Sequence, residues 1–433
     1  MANRGDGDAT APAGERVSLA VIVLALMPFS LGYFLSYLYR AVNAVVAPDL
    51  VRDFKLSAGE LGLLTAAYLL AFSFFQLPLG ILLDRYGPRR VQAALVAIGG
   101  AGALLFAFAP NFYVLAIARA IIGLGFAGGL MSGFKAVVLW VPEQRRALAN
   151  SCVMSIGALG LLVSTAPTEW AVQTYGWRNG FLGVVAFTAL VAAMIYLVVP
   201  ERRQQSAPAS LNEQLRDVGQ IYRDRVFLAL APLLATTAGA QIAVQTLWAG
   251  PWLRDVAGLD RTGVANVLFI SAAGFFVGIL ISGAVADWLG RRGVSLITVM
   301  LGFLYVFFLS QIALIAAVPG IDAILWSLFG MCGQVAVLAY PWLSSHFGVK
   351  LSGRANTAAN LLMFLCAFLM QYAIGLVIDL WPRTPSGGYP TGAYAVALGG
   401  TLAVQLAAFL WYLLNRRHVA TAETAMRARA SHP

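Results

Sequence analysis

Apolar residues run through this chain in long blocks separated by short polar phrases, and the blocks match the length of helices that cross a bilayer. A helix rises 1.5 Å per residue, so a hydrocarbon core of ~30 Å needs about 20 apolar positions. Twelve helices are predicted on that basis, near 18–47, 57–83, 89–109, 113–140, 148–168, 180–199, 227–250, 264–286, 294–317, 322–345, 355–380 and 391–415. Only the break at 200–226 is long enough to join two separate halves, and Pro, Ser and charged residues dominate it. The chain therefore divides into a tail at 1–17, a six-helix bundle at 18–199, a linker at 200–226, a second six-helix bundle at 227–415 and a tail at 416–433. The expected fold class is an all-α membrane protein, with twelve transmembrane helices in two pseudo-symmetric six-helix bundles.

The two halves carry the same phrase. Gly80, Asp84, Gly87 and Arg89 recur as Gly283, Asp287, Gly290 and Arg292, and Pro48 recurs as Pro251, all at an offset of 203 residues. An internal repeat in a long apolar chain points to a transporter, because two related bundles can rock about a substrate held between them.

Composition agrees. Hydrophobic residues make up 60% of the chain, charged residues 11%, and the mean hydropathy is +0.78, outside the range of soluble globular domains. With both termini on the cytoplasmic side, twenty Lys and Arg fall on that face and six on the other, as the positive-inside rule requires. The net charge of +10 is thus a membrane signature and calls for no nucleic acid. Charged residues occupy the first sixteen positions, and the apolar stretch after them is too long for a signal-peptide core, so helix 1 is expected to stay attached. Cys152, Cys332 and Cys366 lie inside apolar spans, where they read as packing residues. With no metal spacing, phosphate loop or nucleophile–base–acid set, neither a cofactor nor an enzyme activity is expected.

The two glycine-aspartate phrases fall on cytoplasmic loops after helices 2 and 8, where they resemble the signature motif of the major facilitator superfamily. The resemblance covers nearly the whole chain. It implies a cytoplasmic gate in which the acid and neighbouring bases hold the bundles together when the outside is open, which assigns Asp84, Arg85, Arg89, Asp287, Arg291 and Arg292 to gating. Pro88 stands where the family often has a base. Ordinary interfacial anchoring is the alternative reading, sufficient for Arg90 and Arg292 taken singly. Arg119, Gly123 and Gly125 on helix 4 resemble a second family motif, associated with proton-coupled members. The glycine-rich run ending in Gly-Pro that marks antiporters on helix 5 is missing, which disfavours drug/proton antiport.

Charge inside the membrane is the sharpest pointer to substrate, because it is costly and faces a cavity or a partner. Three bases qualify: Arg40, Lys135 and Arg119. Arg40 lies nine residues before Asp49, or ~13 Å below the outer boundary, and Lys135 eight before Glu143, or ~12 Å above the inner one. Ser30, Tyr33, Tyr37 and Arg40 recur at helical spacing as one polar-aromatic stripe on helix 1. That helix resembles the organophosphate antiporters and organic-anion porters of the superfamily, in which the matching arginine binds the substrate anion. Here Asn43 comes three residues after the arginine rather than two, and the 203-residue offset delivers Ala243 where phosphate exchangers have a second arginine. One fixed cation argues for a monoanion, carboxylate over phosphate, while a structural ion pair or a residue that satisfies backbone carbonyls is the plainer reading of Arg40. Lys135 divides evenly between substrate contact and gating, since a base before a Trp-Pro helix end can snorkel to the interface. Arg119 fits hydrogen bonding between close-packed helices, with a coupling role as the alternative.

The second half offers uncharged polar stripes. Gln241, Gln245 and Trp248 share a face of helix 7; Asn356, Asn360, Phe364, Ala367 and Gln371 share one of helix 11. Amides on such faces either read a substrate or hold helices together. Tyr340 and Gln334 on helix 10 are weaker candidates. For ion coupling, Glu169 is the acid to consider, although a salt bridge to Arg178 or an outer-gate role is the commoner explanation. The reading that unites these features is a monomeric porter in a bacterial-type inner membrane, importing a small organic anion by alternating access. A co-transported proton or cation stays open. Drug efflux is the runner-up, and a transporter-like sensor the alternative from another class.

Overall fold

The computed structural model describes residues 19–142, 145–200, 211–333 and 338–431. The N-terminal tail, the start of the linker and Gln334 lie outside the described residues.

The first pass is built from α1, Leu19–Ala41, and α2, Asn43–Phe54, joined at Val42. α3, Ala58–Ala107, starts from a capping box in which Ser57 and Glu60 satisfy each other's backbone N–H groups. At 50 residues it is too long for one crossing, and Gly87, at φ 79°, breaks it into two. That left-handed angle is open to glycine at no steric cost. The N-terminal half continues with α4, Phe112–Phe126, α5, Gly129–Trp140, α6, Arg146–Val163, α7, Ala166–Tyr175, and α8, Trp177–Leu197. The fifth pass is α6 and α7 together, bent by 45°.

α9, Leu211–Ile221, belongs to the linker and packs on α3 and the later α15. α10, Arg225–Ala243, passes through a π turn at Val244–Trp248 into α11, Ala249–Asp255. α12, Arg261–Gly290, α13, Leu296–Ile315, and α14, Asp322–Gly333, follow. α15, Ala339–Ile378, is broken at Gly348 (φ 72°), and α16, Thr391–Ser431, closes the chain.

Nine described helices are long and apolar enough to span a membrane, ten with the bent pair. The break in α3 adds an eleventh pass, and α14 with the start of α15 supplies the twelfth. The expected twelve-helix, two-bundle architecture is therefore present. Its last helix is longer than expected: α16 runs sixteen residues past 415, because hydropathy marks where the bilayer stops while the Ala-rich, charged continuation is a good helix former in water.

Within the first bundle α3 packs on α4 and α8, and α1 on α6; within the second α12 packs on α14, and α10 on α15 and α16. Close approach depends on glycine: a Cβ on Gly123 of α4 would stand 2.1 Å from the Tyr68 carbonyl oxygen, and one on Gly125 2.3 Å from the Gly99 nitrogen. Between bundles α3 meets α15, and α12 meets α6 and α7. The 203-residue shift superimposes these two contacts, so the sequence repeat is also a structural one.

Candidate functional site

Arg40 stands on α1 where the two bundles face each other. Its guanidinium carbon is 4.9 Å from the Tyr37 ring centre, 5.0 Å from Phe72 of α3 and 5.0 Å from Phe364 of α15. The side chain is 7% exposed, its Nε is buried without a hydrogen-bond partner, and no described carboxylate pairs with it. An arginine stays charged at any physiological pH, so this is a desolvated cation held by three π faces, which attract it, with its directional hydrogen bonds unspent. The plainer reading of Arg40, an ion pair or a donor to backbone carbonyls, has no partner among the described residues.

The rest of the stripe is divided. Tyr33 and Tyr37 are linked through their hydroxyls at 3.4 Å, and Tyr37 meets Phe275 of α12 across the bundle interface at 5.8 Å between ring centres. Gly157 of α6 is the socket for Tyr33; a Cβ there would lie 2.1 Å from its ring. Ser30 donates back to the Leu26 carbonyl. Phe72 and Phe275 were not legible as site residues, because a phenylalanine on an apolar helix carries no signal separating lipid, core and cavity. Phe364 lay in the helix 11 stripe.

On the second bundle, Gln241 donates to Gln245. Trp248 donates to the Gln371 carbonyl at 2.9 Å, and the Gln371 amide reaches Thr246 at 3.2 Å and the Ala243 carbonyl at 3.4 Å. The π turn explains the split: its extra residue per turn rotates Trp248 off the face of Gln241 and Gln245 and onto α15. Asn360 is hydrogen-bonded to Tyr340, and Asn356 donates to Ser344.

The other two deep bases have partners. Lys135 of α5 is ion-paired with Asp84. Arg119 is fully buried within the first bundle, where it donates to the Tyr39 carbonyl at 2.8 Å beneath the rings of Tyr68 and Phe106.

At the rim beyond Arg40, ionic contacts cross between bundles. Arg261 of α12 bridges Asp49 and Glu169 of the first bundle, each at 2.7 Å, and Gln173 donates to Glu169. Arg178 is not the partner of Glu169; it pairs with Asp53, to which Trp177 also donates. Burial raises the Asp53 carboxyl, but the hydrogen bonds from Trp177 and Arg52 outweigh it and the net shift is downward. Asp379, the residue that follows α15, accepts from the backbone N–H groups of Ala58 (2.8 Å) and Gly59 (2.7 Å), capping α3 from the opposite bundle. Burial raises this carboxyl too, and hydrogen bonds from Tyr389 and that backbone bring it below its ordinary value. Arg383 donates to the Leu56 carbonyl.

At the opposite rim, the six signature residues make no described contact across the bundles. Asp84 holds Lys135, Arg89 donates to the Tyr196 carbonyl at 2.9 Å, and Arg85 lies over Tyr86, all within the first bundle. Asp287 and Arg291 are exposed, and Arg292 covers Trp288.

A profile of the Major Facilitator Superfamily matches residues 29–371. The chain belongs to that superfamily, and is therefore a multi-pass membrane transporter rather than an enzyme. Among curated relatives it is 25% identical to the hexuronate transporter of Escherichia coli, over 81% of this chain and 86% of that one. It is also 25% identical to the niacin transporter of Acinetobacter baylyi, over 86% and 82%. Among solved structures, a bacterial homologue of the human lysosomal transporter Spinster, inward-facing and occupied, aligns at a TM-score of 0.72 and 19% identity, covering 94% of this chain and 99% of that one. The D-xylose–proton symporter aligns at 0.68 and 18%, covering 91% and 97%.

Proposed function

We propose that this chain imports a small organic monoanion, a carboxylate, across a bacterial-type inner membrane by alternating access, with Arg40 binding the anion between the bundles. The observation that carries this reading is the unpaired, desolvated Arg40 guanidinium at the bundle interface. A carboxylate supplies the missing acceptors in a bidentate, charge-assisted pair. The other deep bases are engaged elsewhere, which leaves one cation for one negative charge. Relatives named for hexuronate and niacin, both carboxylates, support the class.

Tyr33 and Tyr37 form the wall beside Arg40, and Gln241 and Gln245 present amides from helix 7. Trp248, Gln371 and Asn360 are assigned to holding the end of α10, the π turn and the two segments of α15 in register around the site. Lys135, through its pair with Asp84, joins the gate. The arginine excess makes the Asp84 rim cytoplasmic and the Asp49 rim external. Glu169 then belongs to the external gate, and Arg119 to the framework beneath it.

The test uses a carboxylate found by thermal-shift screening of the purified protein, together with its uncharged amide. Arg40→Gln is expected to weaken the carboxylate by ~1.5–3 kcal/mol, roughly ten- to hundredfold, with little change for the amide. Arg40→Lys keeps the charge without the fork and falls between. Equal losses for both ligands, or no loss for the anion, would remove Arg40 from the substrate site.

A further inference from the structure

We infer that the anion carried is an aromatic monocarboxylate: one flat ring bearing one carboxylate, with at most a small polar substituent. This rests on the reading of Arg40 as the anion site and concerns what surrounds it.

Five rings from both bundles cluster about that site: Tyr37 of α1, Phe72 of α3 and Phe364 of α15, with Tyr33 of α1 and Phe275 of α12 packed on Tyr37. They meet across the bundle interface, Phe72 with Phe364 at 4.3 Å between centres and Tyr37 with Phe275 at 5.8 Å. Three of them also contact the Arg40 guanidinium. A carboxylate docked on the edge of that guanidinium directs its own body among these rings. Opening the bundles to admit it separates the cross-bundle pairs and bares their faces. A flat aromatic ligand replaces the lost contacts on both sides, with the offset or edge-on geometry that ring quadrupoles favour. A hydroxylated chain brings instead groups that need acceptors and donors in the same place.

Those polar partners are already committed. Tyr340 bonds Asn360, Gln241 bonds Gln245, Gln371 bonds Thr246, and Ser30 returns to its own helix. Two polar atoms in this set, the donor Gln245 Nε2 and the acceptor Gln371 Oε1, are buried without a partner, which suits a single polar ring substituent and not a row of hydroxyls. Gly157 lets the Tyr33 ring lie directly against the α6 backbone, since a Cβ there would stand 2.1 Å from it. With Lys135 held by Asp84, a second carboxylate on the ligand has no second cation to meet.

The experiment measures calorimetric binding of benzoate, cyclohexanecarboxylate, gluconate and benzamide to the full-length transporter in lipid nanodiscs, as wild type and as Arg40→Gln. Benzoate is expected to bind about tenfold tighter than gluconate and several-fold tighter than cyclohexanecarboxylate, which has the same charge and size but no π face. Arg40→Gln is expected to erase the advantage of benzoate over benzamide. Gluconate binding as tightly as benzoate, with both lost in Arg40→Gln, would overturn the aromatic class while leaving the anion site intact. Equal binding of cyclohexanecarboxylate and benzoate would do the same. Absence of any Arg40-dependent carboxylate binding would overturn this inference and the anion reading together. Phe364→Leu keeps apolar bulk and removes a ring; it should cost benzoate more than cyclohexanecarboxylate, and an equal cost to both counts against the proposal.

Discussion

The two rims at which the bundles meet are in opposite states. At the Asp49 rim, backbones touch: a Cβ on Gly375 of α15 would stand 2.5 Å from the Ala58 carbonyl oxygen, and one on Gly250 of α11 2.4 Å from that of Ala44. Arg261, Asp379 and Arg383 then tie the bundles together over that contact. At the Asp84 rim, Gly283, Gly290 and Gly353 face open space, and the signature charges pair within their own bundle or lie exposed. The described state is closed beyond Arg40 and parted before it. Closure at one end with separation at the other is the arrangement that the alternating access proposed above requires. The motif legible in the sequence, proposed as a gate, makes no contact across the bundles here, and the rim that does is marked by no motif.

The largest effect that would break this comparison is steric. Gly375→Val puts a branched side chain into the Ala58 backbone, and overpacking of this kind costs ~1–3 kcal/mol, enough to shift the closed rim about tenfold or more toward opening. A reporter cysteine at Ala265, buried at that rim, should label markedly faster. Unchanged labelling would mean that glycine contact is incidental to closure.

Arg261→Gln comes next. It leaves Asp49 and Glu169 facing each other without their shared cation; because the arginine side chain is 38% exposed, the loss is discounted from that of a fully buried pair to ~1–2 kcal/mol. Reporter labelling should rise several-fold, and restoring the charge with Arg261→Lys should recover part of it. If Gln and Lys behave alike, the ion pairs do not hold the rim.

Asp84→Asn should have the smallest effect on the closed rim. Its pair with Lys135 is partly exposed, worth ~0.2–1 kcal/mol, and lies at the other end. Reporter labelling and ligand affinity should stay within about twofold of wild type while transport slows, because the state in which this gate engages is weakened. Affinity lost along with transport in well-folded protein would place Asp84 outside the gate.

What could be read without coordinates follows from how each residue type signals. Gly87 and Asp84 were visible because a break and a charge stand out in an apolar chain. Arg40 was visible for the same reason, its position nine residues from Asp49 making it too deep to snorkel. Lys135 could be placed by depth but not by partner, since Asp84 lies 51 residues away on another helix. Trp248 was assigned to the face of Gln241 by a 3.6-residue period that the π turn interrupts.

The sequence by itself determined the class of environment, the number of passes, the two-fold repeat and the presence of one costly cation in helix 1. These depend on hydrophobicity, periodicity and solvation cost, which act along the chain. Only the tertiary structure decided that Phe72 and Phe364 join Tyr37 around that cation, that Lys135 is spent on Asp84, and that Arg261 locks Asp49 to Glu169. Each of these joins helices far apart in sequence, and helix packing within a bilayer is directed by close contact and shape rather than by any pattern of polarity a single helix carries.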